Sequence, residues 1–112
     1  MDQRLDERYP ATFEVSVTNL ENHSQTCRGI VSDISKSGLA MTSPLRFTPG
    51  SVVKLDFADS ELFGYVVYSE PRDSSFRTGV EVERVLLGGT DLSQLLRGVL
   101  QQEMPHVVRV GG

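Results

Sequence analysis

Arginines stand at both ends of the segment Arg4-Leu5-Asp6-Glu7-Arg8, and 25 residues after Arg8 the chain reads Asp33-Ile34-Ser35-Lys36-Ser37-Gly38. A guanidinium is a planar fork of donors that holds a phosphate, or the O6/N7 edge of a guanine, through paired hydrogen bonds. Asp33 brings the complementary chemistry, an acceptor carboxylate suited to the N1 and N2 donors of guanine. Ser35 adds a small donor and acceptor, and Gly38 a backbone that permits close approach. Together the two segments describe a divided site for an anion and a guanine. Each also has a plainer reading. Asp2, Asp6 and Glu7 suffice to neutralise the arginines in a solvated terminus, and Asp33 and Ser35 suit a tight turn in which they bond to nearby backbone amides. The turn and the site are compatible, because a carboxylate held by a turn is preorganised for a ligand.

In this order and at this separation the residues resemble the PilZ domain, whose signature is Arg-x-x-x-Arg followed some tens of residues later by Asp/Asn-x-Ser-x-x-Gly. Position 37 is Ser37, where many members of the family carry a second glycine. The resemblance runs from Arg4 through the strand pattern ending near Arg84 and the helical pattern after it. What it implies is binding of the bacterial second messenger cyclic di-GMP by Arg4, Arg8, Asp33, Ser35 and Gly38. It also implies a barrel as the scaffold.

The elements that must position these groups are legible as period-two alternation, which on a strand sends successive side chains to opposite faces. Phe13, Val15 and Val17 alternate with Glu14, Ser16 and Thr18, predicting a first strand over 11–20. Ile30, Val31 and Ile34 predict a second over 26–35, so that Asp33 and Ser35 leave one face at its end. Leu39 and Met41 mark a short third strand that stops before Pro44. Val53, Leu55 and Phe57 mark a fourth after the Pro49-Gly50 turn signal. The stretch 62–69 is apolar on both faces, with Phe63, Tyr65 and Val67 on one and Leu62, Val66 and Tyr68 on the other. A loop around Pro71 spans 70–75, and Phe76, Thr78, Val80 and Val82 set out a sixth strand. Six short strands with turns between them predict a mainly β fold, either a sandwich or a closed barrel without exposed edges, and the resemblance selects a six-stranded antiparallel split barrel.

Beyond the strands the period changes. Leu92, Leu95, Leu96, Val99 and Leu100 follow the stripe of an amphipathic helix, with Thr90 or Asp91 as its cap and Pro105 beyond its end. Packing against the barrel accounts for this stripe and would cover the second apolar face of the fifth strand. The expected organisation is an N-terminal arm over 1–10, a barrel with its C-terminal helix over 11–104, and a loose tail over 105–112.

At 112 residues, 38% of them hydrophobic, the chain suffices for one core without disulfides or metal. Cys27 has no second cysteine to pair with and reads as a small core residue. No apolar run is long enough to span a bilayer and the N-terminus opens with charges, so a cytoplasmic protein without membrane insertion is expected. A net charge of −4 disfavours binding to long nucleic acids, which needs a broad basic surface. A cyclic dinucleotide carries only two phosphate charges, and a few arginines at one spot suffice for it. His23 and His106 belong to no nucleophile or metal constellation, and no phosphate-cradling glycine loop is present, so neither catalysis, a cofactor nor a metal is expected.

These readings lead to a mechanism. Tyr9-Pro10 disfavours helix and separates the arginine segment from the first strand as a pliable arm. Cyclic di-GMP would draw Arg4 and Arg8 over its phosphates and guanine while Asp33 and Ser35 hold a base edge. The ordered arm would then be read by an effector protein or by a second copy of the chain. A PilZ-like interaction module that takes no cyclic di-GMP is the alternative. A barrel for single-stranded nucleic acid, using Phe63, Tyr65 and Tyr68 as stacking platforms, is opposed by the acidic balance.

Overall fold

A computed structural model of the chain describes residues 9–87 and 107–109. The alternating segments form β1 (Tyr9–Asn19), β2 (Thr26–Ile34), β3 (Gly38–Ser43), β4 (Val52–Phe57), β5 (Ser60–Arg72), β6 (Ser75–Leu87) and β7 (Val107–Arg109). They hydrogen-bond in the order β3-β2-β1-β4-β5-β6-β7, and an additional β3–β6 pairing joins the first six into a ring. All pairings within the ring are antiparallel. The expected six-stranded antiparallel barrel is therefore the observed architecture. The helix expected over 92–100 lies outside the described residues.

The alternation read from the sequence sorts the side chains as a half-buried sheet requires. On β4, Val53, Leu55 and Phe57 point into the barrel and Lys54 and Asp56 stay partly exposed. Val15 and Val17 of β1 meet Val31, Met41, Leu62, Val66 and Val80 in the same core. Each such side chain, fully buried, contributes about 1.5–3 kcal/mol of transfer free energy. Phe47 belongs to no strand, yet it is completely buried and fills the interior from the β3–β4 connection. Its backbone N–H donates to Ser69 Oγ at 3.2 Å, and the Ser69 and Thr78 hydroxyls share a hydrogen bond of 2.9 Å, so these polar groups inside the barrel have partners.

Several boundaries depart from the sequence-based expectation. β1 starts at Tyr9, inside the segment assigned to the arm (1–10), because the proline at position 10 sits next to an irregularity in the β1–β2 register, where a missing N–H is tolerated. The loop expected over 70–75 is shorter: Glu70, Pro71 and Arg72 continue β5, pairing with Arg77, Phe76 and Ser75. The reversal is made by Asp73-Ser74 alone, with Asp73 in the left-handed region at φ 55°. The tail expected to be loose over 105–112 contains β7, which runs parallel to β6 with Val107 opposite Val85 and Arg109 opposite Leu87.

Candidate functional site

β2 as a regular strand would bury Asp33. Val31 and Asp33 are two apart, and Val31 is completely buried, so strict alternation would aim the carboxylate into the core. A bulge prevents this. Val31 pairs with Met41 and Asp33 with Ala40, neighbours on β3, which leaves Ser32 as the extra residue. The bulge exchanges the two faces, so that Ile34 turns inward and Asp33 outward, as bulges beside functional sites commonly do.

A second bulge does the same across the barrel wall. On β5, Val66 pairs with Val80 but Tyr68 pairs with Gly79, leaving Val67 as the extra residue. Tyr68 is therefore on the outer face, and not on the face of Leu62 and Val66 where regular alternation puts it. The register then forms one row across the outside of the barrel: Asp33 on β2, Ala40 on β3, Gly79 on β6 and Tyr68 on β5. Its ends carry functional groups and its middle carries almost no side chain. The result is a groove of about 170 Å³ whose floor includes Gly38, Ala40 and Gly79 and whose walls include Asp33, Ser35 and Tyr68.

Three of the five residues singled out in the sequence, Asp33, Ser35 and Gly38, thus line one groove. Arg4 and Arg8 lie outside the described residues. Ser35 is not on the strand, which ends at Ile34, but opens the three-residue connection 35–37 to β3. Its N–H donates to the Gly38 carbonyl at 2.8 Å and its hydroxyl donates to the same oxygen at 3.4 Å. Gly38 is required for a reason other than turn geometry, since its φ is not in the left-handed region. A Cβ at this position would collide with the Val80 carbonyl oxygen, so glycine allows β3 to close against β6. Gly79 is covered in a related way, with the Tyr68 ring laid where its Cβ would be.

The residue that sequence reasoning missed is Arg77. Its side chain crosses β3 from β6 and donates from Nη2 to Asp33 Oδ2 at 3.0 Å and from Nη1 to Ser32 Oγ at 3.4 Å. The ion pair is only a quarter to a fifth exposed. The hydrogen bond to Asp33 raises the Arg77 pKa above its ordinary value; partial burial opposes this, and Tyr68 adds to it. No local signal could have revealed the pair, because 44 residues separate its members and only the β3–β6 closure brings them together. At the other rim Glu81 stands opposite Tyr65 of β5, whose pKa is raised by burial first and by Glu81 second.

Chemically, the groove offers an oriented carboxylate, a hydroxyl, a guanidinium at its margin and an aromatic wall over a floor of small residues. Among the described residues no group of three or more His, Cys, Asp or Glu could hold a metal ion, and no helix is long and apolar enough to cross a membrane. A family model of the PilZ domain matches residues 2–101, which include both sequence motifs and all six strands of the ring. The chain belongs to the PilZ domain family, a family of binding and adaptor modules. No curated protein matches the chain.

Proposed function

We propose that this protein is a receptor for cyclic di-GMP, which it takes between the outer groove and the N-terminal arginine segment. Asp33 and Ser35 receive a guanine edge, the groove floor at Gly38 and Ala40 lies beneath the ligand, and Arg4 and Arg8 clasp phosphate and guanine. The observation that carries this reading is strand register. Tyr9 pairs with Ile34 and Pro10 with Asp33, so the peptide bond before Tyr9 joins Arg8 to a residue already paired with the heart of the second motif. One residue advances the chain by 3.8 Å and five by at most about 18 Å, which puts the groove within reach of both arginines.

Size supports the same division of labour. Drug-sized ligands occupy clefts of roughly 300–1,000 Å³, and the groove at about 170 Å³ is too small for a whole cyclic dinucleotide. It suits one base. The remainder of the ligand then lies outside the barrel, where the arm closes over it. In this reading the ordered arm is the signal, and it is read in the cytoplasm by an effector protein or by a second copy of the chain.

Calorimetric titration with cyclic di-GMP tests the proposal directly. Saturable binding with a Kd below about 100 µM is expected, equivalent to more than roughly 5 kcal/mol of binding free energy. Arg8→Ala should weaken it about ten- to a hundredfold, the worth of one charge-assisted contact. A wild-type chain that shows neither heat nor affinity would sink the reading. The alternative, an interaction module that takes no cyclic di-GMP, draws support from the Asp33–Arg77 pair, which satisfies the carboxylate without a ligand. It predicts capture of the same partner with and without the nucleotide.

A further inference from the structure

We infer that Arg77 is a positioning residue for nucleotide recognition: it clamps the β2 bulge and so fixes the direction in which Asp33 presents its carboxylate to the groove. This rests on the reading of the groove as a guanine seat. The bulge is what turns Asp33 outward, and Ser32 is its extra residue. Arg77 holds both residues at once, Ser32 through Nη1 and Asp33 through Nη2. Ser32 Oγ in turn donates to the Ala40 carbonyl on the groove floor at 3.3 Å, so one guanidinium ties the bulge, the carboxylate and β3 together. A single-point cation could not do this, since the two acceptors lie on successive residues and require a planar fork. Crossing β3 is feasible because the residues beneath the arginine are Ala40 and Thr42, both small.

A contact to phosphate is a different role for the same side chain, and the two separate experimentally. In the positioning role Arg77 acts through Asp33, so its removal should matter only while Asp33 is present. The test is a double-mutant cycle read by calorimetry with cyclic di-GMP, using the full chain, Arg77→Gln, Asp33→Asn and the combination. Arg77→Gln should weaken binding about tenfold alone and by less than about twofold when added to Asp33→Asn. The dependence of affinity on salt should be the same for Arg77→Gln as for the parent chain, because no phosphate contact is lost. Ser32→Ala provides a second route, removing one anchor of the clamp while keeping the ion pair, and should weaken binding by a smaller factor in the same direction. Arg77→Lys should restore only part of the loss. Undiminished affinity in Arg77→Gln overturns the inference, as do losses that multiply in the double variant together with a shallower salt dependence. A parent chain that binds nothing overturns the receptor reading itself, whereas a binding parent with an indifferent Arg77 overturns the clamp alone.

Discussion

The groove and a hollow at the β4–β5 hairpin, both formed by described residues, differ in how their charges are organised. The hollow at the β4–β5 hairpin is the larger at about 290 Å³, and Asp56, Asp59 and Glu61 line it. Asp56 is answered there by Lys54, two residues away on the same strand, at 3.5 Å and with both side chains about a third exposed. Such a pair is worth little and orients nothing, because neighbouring exposed charges on one strand meet whatever the fold does. In the groove, by contrast, Asp33 is answered by a cation delivered from the far side of the ring closure, at 3.0 Å and with less exposure. Volume therefore does not identify the better organised of the two. What distinguishes the groove is that its charged groups hold their geometry only when the whole barrel has formed.

The largest way to break this comparison is to open the closure itself. Gly38→Val would drive side-chain atoms into the Val80 carbonyl, and overpacking of this kind costs about 3 kcal/mol or more when backbone is the obstacle. Thermal melts should show a sharply lowered midpoint, and an unchanged one would mean that β3 does not bear on β6 as described. Less drastic is a matched exchange of carboxylates between the two hollows. Asp33→Ala should weaken cyclic di-GMP binding about ten- to a hundredfold, while Asp59→Ala should leave it within about twofold, as calorimetry would resolve. Equal effects at both positions would erase the distinction. The smallest expected change is at Ala58, which stands in the left-handed region at φ 48° in the turn of the acidic hollow. Ala58→Gly should relieve that conformation and raise stability by about 0.5 kcal/mol in denaturant titration, with ligand affinity untouched.

The sequence made the strands legible where burial follows strict alternation, as at Val53, Leu55 and Phe57, because period two has a single geometric meaning there. It also made Asp33, Ser35 and Gly38 legible as a group, since they are close in the chain and one hairpin turn keeps them together. What it hid were the two bulges. Nothing in Ser32 or Val67 announces an extra residue; the register shift arises from partner strands distant in sequence, and it reverses the face of everything that follows. For that reason Tyr68 was expected beside Val66 and is found outside, opposite Gly79. Arg77 was hidden for the same cause, because no spacing rule connects it to Asp33. Gly38, read in the sequence as a place for close approach, also meets a steric need that only the ring closure reveals, because a Cβ there would collide with the Val80 carbonyl oxygen.

β3, at six residues, is the short rung that zips the two margins of the sheet together through β6. A molecule resting across Asp33, Gly79 and Tyr68 straddles that zip and grips both margins, so any excursion in which the cylinder comes ajar would first have to shed its guest. Occupancy would thus be recorded as slower hydrogen–deuterium exchange at the amides of Thr42 and Ser43, the end of β3 that lies outside the groove.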